Sequence, residues 1–138
     1  MRADGFTLLE AVIATAILAT GLASLAQIAA LSTRATNAAA ARSVATLLAI
    51  DKLEQLRALQ WTVDRAGMPA SDAGLATSPG DALDRDADGF VDHPPGATRR
   101  WSIQPLPPYA ADALVLQVRV IAGGQDVRLV TVRARRAN

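Results

Sequence analysis

The chain has 138 residues, a net charge of +1 and no cysteine, so its length allows one small domain beside whatever the N-terminus does. The near-neutral balance supplies no global field toward nucleic acid. The missing cysteine excludes a disulfide framework and a thiolate metal site.

The first element is an apolar run. Residues 6–31 carry one formal charge, Glu10, and residues 11–33 carry none. A spanning helix needs about 20 mainly apolar residues at a rise of about 1.5 Å each, so the run is long enough to cross a bilayer. Three readings compete. A secretory signal peptide fits the small residues Ala26, Ala29 and Ala30 as a cleavage site, but its apolar run should be shorter and free of acid. An ordinary membrane anchor leaves Glu10 unexplained, because a carboxylate costs about 2.5–3.5 kcal/mol at the centre of an inserted helix, and less near the interface. The third reading makes Glu10 functional and requires a cation for it.

Gly5-Phe6-Thr7-Leu8-Leu9-Glu10 before an uninterrupted apolar helix resembles the class III signal of type IV pilins and type II secretion pseudopilins. The resemblance implies a leader of residues 1–5, with Arg2 as its basic residue. It implies a cut after Gly5 by a membrane-embedded prepilin peptidase and methylation of the new N-terminus at Phe6. Glu10 then falls at the fifth position of the mature chain, where the family carries its acid. In the family this carboxylate meets the N-terminal ammonium of a neighbouring subunit. An isolated charge is costly in low dielectric and a paired one is tolerated, so Glu10 acts as a registry element for assembly. Ala11, Thr15, Ala19 and Ala23, like Ala16, Thr20 and Ser24, recur at four-residue spacing, which suits close helix approach in a membrane. An alanine-rich chain also produces such spacings by chance. Major pilins often carry a proline in this helix; residues 6–68 contain none, which is more typical of minor subunits.

From Ser32 onward charges appear, but neither proline nor an internal glycine interrupts the pattern until Gly67. Ala45, Leu48, Ala49, Leu53, Leu56 and Leu59 form an amphipathic stripe, with Glu54 and Arg57 on the other side at pairing distance. One helix is therefore expected over 6–61, about 80 Å long. Its part 6–31 is the transmembrane or filament-core half, and 32–61 is the amphipathic extension. Residues 46–59, TLLAIDKLEQLRAL, look like the matching region of minor pilins of the PilV type and of the I-type minor pseudopilin.

Residues 62–98 hold most of the Gly, Pro, Asp and Ser and read as loop. Within them Asp84, Asp86 and Asp88 alternate before Gly89, as in the first half of an EF-hand calcium loop. The Phe90 carbonyl and Asp92 would complete the ligand set. Pro95 stands where a bidentate glutamate is expected, so such a site would bind Ca²⁺ weakly, with a dissociation constant on the order of 10⁻⁴–10⁻³ M. A solvated acidic turn explains the same residues, because Asp-Gly favours turns.

Residues 99–138 read as antiparallel sheet. A short strand at 99–104 places Trp101 and Ile103 on one face. The strongest strand, 112–122, alternates Leu114, Leu116, Val118 and Val120 with the other face. Gly123-Gly124 makes a turn, and 125–135 returns with a slip in alternation between Leu129 and Val130 that suggests a bulge. Arg133 and Arg135 share a strand face, which suggests a solvated, charge-protected edge. The only histidine, His93, sits in a Pro-rich loop. No nucleophile, P-loop or metalloprotease motif occurs, so no enzyme activity and no resident cofactor is expected, with Ca²⁺ the one candidate ion.

The combined expectation is an α+β, pilin-like chain: one long helix packed on a small sheet of about three strands. The resemblance implies a minor pilin or pseudopilin in the bacterial inner membrane, single-pass, with its C-terminal domain extracytoplasmic. Its implied partners are prepilin peptidase, other pilin subunits and the membrane platform of the assembly machine, with no nucleic acid. Two alternatives differ in class: a membrane-tethered calcium-binding module that never polymerises, and a competence pilin whose basic end touches DNA.

Overall fold

The computed structural model describes residues 7–60, 72–106 and 113–134. It divides into two compact units, Met1–Asn37 and Ala38–Asn138, with helix α1 (Leu8–Ala58) contributing to both. Thr7 starts this helix. Its carbonyl accepts the Glu10 and Ala11 amides at 3.0 and 3.2 Å, and its Oγ1 accepts the Glu10 amide at 3.3 Å. That side-chain bond satisfies one of the donors every helix N-terminus leaves open. The helix ends three residues before the expected limit; Trp61 lies outside the described residues.

In the first unit every described residue is exposed. α1 is long and apolar enough to cross a membrane, with a mean hydropathy of 2.0 over its most apolar window. Its hydroxyls do not oppose that. Thr15, Thr20, Ser24, Thr33 and Thr36 each donate to the carbonyl four residues back, at 2.9–3.0 Å. A hydroxyl bonded to its own helix brings little unmet polarity into an apolar surrounding.

The second unit packs residues 38–58 of α1 on one face of a four-stranded antiparallel sheet ordered β1-β2-β3-β4. The strands are β1 (Val91–Asp92), β2 (Ala97–Pro105), β3 (Ala113–Ala122) and β4 (Gln125–Ala134). β1 is the strand the sequence hid. At two residues it is too short to show alternation. The register pairs Trp101 with Val118 and Ile103 with Leu116, and Val118 with Leu129, so these side chains share the helix-facing side. Ala45, Ala49, Leu53 and Leu56 of α1 are buried against that face with Trp101, Ile103, Leu114, Leu116, Val118 and Val120. A sheet of this size needs such a partner.

The β3–β4 turn requires glycine twice over. Gly123 and Gly124 have φ of +55° and +75°, as a type I′ hairpin demands. A Cβ on Gly123 would also meet the Ala41 Cβ at 2.9 Å, so the turn sits hard against the helix.

The expected bulge in the return strand is absent. β3 and β4 pair without interruption from Ala113–Ala134 to Ala122–Gln125. Leu129 faces the core, while Val130 and Val132 are 58% and 55% exposed on the other side. The apparent slip is an ordinary strand carrying β-branched residues outward, where they favour the pleat without being buried. Leu116→Ala, at a fully buried position, should cost about 2–5 kcal/mol, and Val130→Ala under about 0.5 kcal/mol. Urea unfolding of the detergent-solubilised chain, followed by tryptophan fluorescence, would measure both.

Candidate functional site

Two places carry the residues that sequence reading singles out. The first is the start of α1. Gly5 and Phe6 lie outside the described residues. Glu10 sits in the first turn, exposed, and its carboxylate has no hydrogen bond or ion pair among the described residues. Thr7-Leu8-Leu9-Glu10 has the spacing of a capping box, of which the structure forms the threonine half. The helix dipole also favours a carboxylate in this turn. Glu10 is thus placed comfortably in its own helix, with no bond to its acceptor oxygens among the described residues.

The second place is the aspartate loop, whose Asp84 and Asp86 meet arginines on the sheet face opposite α1 while Asp92, in β1, lies on the helix side. Gly89 makes the expected tight turn at φ +77°. The aspartates do not converge. Asp84 takes Arg119 at 3.0 Å, Asp86 takes Arg100 at 2.8 Å, and Asp92 takes Arg99 through two bonds of 2.9 Å. Asp88 has no such partner among the described residues. The Phe90 carbonyl accepts the Trp101 amide at 3.0 Å. No group of three or more metal-ligating side chains comes together among the described residues.

The arginines explain the dispersal. Arg100 pairs in register with Arg119, and Arg119 with Arg128. This sets three guanidinium groups in a row across β2, β3 and β4. Like charges directly opposite destabilise a sheet. The row is held by counter-ions: Asp86 on Arg100, then Asp84 and Asp126 on Arg119, with Asp126 at 2.7 Å from Nη2. Arg128 bonds the Gln117 side-chain oxygen. Arg119 also donates to the Leu83 carbonyl at 3.1 Å, pinning the loop to the sheet. The hydrogen bond to Asp126 raises the Arg119 pKa against the effect of burial and lowers that of Asp126. Sequence reading missed this row because it depends on register between strands, although each arginine stands at an outward position of its own strand.

Beneath the loop, Arg99 joins three elements. It is buried and bonds Asp92 in β1 and, from α1, both Asp51 at 2.9 Å and the Leu48 carbonyl at 3.1 Å. Lys52 stands 3.6 Å from Asp92 and 3.4 Å from the centroid of the Trp101 ring, a cation–π contact. Burial pushes the Asp92 carboxyl up, but the bonds and charge of Arg99, helped by Lys52, outweigh it and hold the pKa below the usual value. Burial is also the first influence on Lys52 and lowers its pKa, with Asp92 acting the other way.

Arg133 corrects the expectation of a solvated C-terminal edge. It is half-buried and donates to the Leu56 and Leu59 carbonyls at 3.1 and 2.6 Å, closing acceptors that the C-terminus of α1 leaves open. Its inward position follows from the unbroken alternation of β4. Arg135 lies outside the described residues. The expected Glu54–Arg57 pair forms at 2.6 Å, and Arg57 reaches on to Thr131 at 2.6 Å.

Residues 1–26 match the family model described as the prokaryotic N-terminal methylation motif. The match supports a type IV pilin-like protein. It spans Gly5, Phe6 and Glu10 and the opening turns of α1, and leaves the sheet and its arginine row outside it. No curated protein and no solved structure shows a match to the chain.

Because the folded pKa of Asp92 is depressed, its contribution to stability is present above the unfolded value of about 3.9. It is lost as pH falls through the lower folded value. Asp92→Asn should therefore lower the melting temperature at pH 7 and flatten its fall below about pH 4. A pH series of thermal melts on wild type and variant would show it.

Proposed function

We propose that the chain is a minor pilin or pseudopilin: a subunit cut after Gly5 by prepilin peptidase, methylated at Phe6, and assembled into a type IV pilus or a type II secretion pseudopilus. The observation that carries the proposal is the methylation motif overlapping the start of a helix long and apolar enough to span a membrane. Before assembly the chain would rest in the bacterial inner membrane with the sheet domain extracytoplasmic.

In this reading Glu10 receives the ammonium that cutting creates on a neighbouring subunit. Its carboxylate, without a partner among the described residues, suits the role, since the own-chain cap uses the Glu10 amide and not the acid. The work is mechanical and needs no catalytic group in this chain. Glu10→Ala would leave one buried cation unpaired, a loss of about 3–5 kcal/mol, or roughly a hundredfold or more per addition step. The variant should be cut normally yet vanish from sheared filaments while persisting in membranes. Assembly of the variant at the wild-type level would remove this role from Glu10, and absence of the wild-type chain itself from sheared filaments would instead favour a tethered module that does not polymerise.

For the aspartate loop we propose an ion-paired strap rather than a calcium site. Calcium at Asp84 and Asp86 would have to displace Arg119 and Arg100 and expose a row of like charges. Millimolar Ca²⁺ should leave the melting transition where it is. A rise in the transition that disappears in Asp84→Ala would establish the metal site instead.

A further inference from the structure

We propose that β4 is a docking edge for an extended segment of another protein, apolar on both faces at its centre and acidic where it passes Arg128. The proposal is independent of the cut at Gly5.

The two edges of the sheet are treated differently. Beside β2, the short β1 and the loop before it close the backbone. The Trp101 amide donates to the Phe90 carbonyl at 3.0 Å, and the Ile103 amide and carbonyl bond the Oγ and the amide of Ser78, each at 3.0 Å. β4 forms the other edge over ten residues. The two-residue turn makes Ala122 and Gln125 a bonded pair. Odd-numbered residues of β4 therefore bond β3, and the backbone of Asp126, Arg128, Val130, Val132 and Ala134 faces away from the sheet. No backbone group among the described residues bonds that outer side. An edge this long is normally blunted by charge, a bulge or a covering element. Here the bulge is absent, and Arg133 turns inward to the helix carbonyls. The apolar surface is also unfinished on both sides of the edge. Val130 and Val132 are exposed on the outer face, and Val127 and Leu129 are only partly buried on the inner one.

These features fix the chemistry of the occupant. Outward donors and acceptors at every second residue take an extended chain. Apolar residues on both faces select a segment whose centre is apolar throughout rather than alternating. Arg128 adds a charge: it bonds the neutral Gln117 side chain, while Asp126 gives both carboxylate oxygens to Arg119. An acid opposite Arg128 on the added strand supplies a cross-strand ion pair. A second copy of β4 does not meet these needs. Antiparallel pairing sets Asp126 against Arg128 only in a register centred on Val127, which carries Val132 past the β3–β4 turn of the other copy.

The test uses the detergent-solubilised full chain and the end-blocked peptide KTITVVEVTK. In antiparallel alignment this peptide sets its glutamate opposite Arg128, and a valine and its isoleucine opposite Val130 and Val132. Its counterpart KTITVVKVTK reverses the charge. Fluorescence anisotropy of the labelled peptides reads binding, and amide hydrogen exchange reads its place. Saturable binding is expected below about 1 mM, with new protection at the Arg128, Val130 and Val132 amides. The glutamate peptide should bind the wild-type chain about 2- to 10-fold more tightly than the lysine peptide, and Arg128→Glu should reverse the order. A reversal, unlike a simple loss, cannot come from a misfolded chain. Val130→Pro removes one outward amide without touching the β3 ladder and should weaken both peptides. No saturable binding, equal affinity of the two peptides for the wild-type chain, or protection elsewhere on the sheet would overturn the proposal. So would protection of the same amides in the chain without peptide, whether as monomer or as dimer, since the edge would then already be filled.

Discussion

The contact between the stripe Ala45, Ala49, Leu53 and Leu56 and the inner face of the sheet is the interaction the second unit depends on. Two of the four helix residues are alanine, which lets the helix backbone come close to Ile103, Leu116, Val118 and Val120, all fully buried. That closeness also governs the edges of the contact. It brings Ala41 against Gly123, so that only glycine fits the turn. It brings the last carbonyls of the helix within reach of Arg133. The short β1 and the aspartate loop are then tied to this frame by charge rather than by apolar area.

That division of labour gives the charges an internal use. Arg99 draws on helix, β1 and β2 together, and breaking a buried pair from one side costs more than the pair itself contributes. The arginine row on the opposite face would be a liability alone; with Asp84, Asp86 and Asp126 it becomes the means by which an irregular loop keeps one position. A near-neutral net charge thus conceals two dense sets of opposed charges, each closed on itself. Glu10 stands apart from both. Its first-turn position is favourable in its own chain, yet its acceptor oxygens have no described partner, which is the arrangement expected of a group whose cation arrives from elsewhere.

The sequence made much of this legible, for physical reasons that differ by element. The helix showed through residues 45–59 because 3.6-residue periodicity is local, and the apolar N-terminal run because length and hydropathy alone define it. The hairpin showed because Gly123-Gly124 is flanked by alternation. What depended on pairing across the chain did not show. Leu129-Val130 looked like a slip until the register made Val130 an outward residue. Arg133 looked solvated until the helix end was found beside it. The aspartates at 84, 86 and 92 suggested convergence on an ion, but three arginines from two other strands claim them, and no local pattern places those arginines. Asp88 and Gly89 kept the turn expected of them.

The central claim is that Glu10 belongs to a chain whose N-terminus is made by a cut at Gly5. Intact-mass and N-terminal sequence analysis of the chain isolated from its own membranes tests this most directly. The account predicts a chain lacking residues 1–5 that begins with N-methylated Phe6. A chain retaining Met1, or one cut near Ala30 as a secretory signal would be, would contradict it.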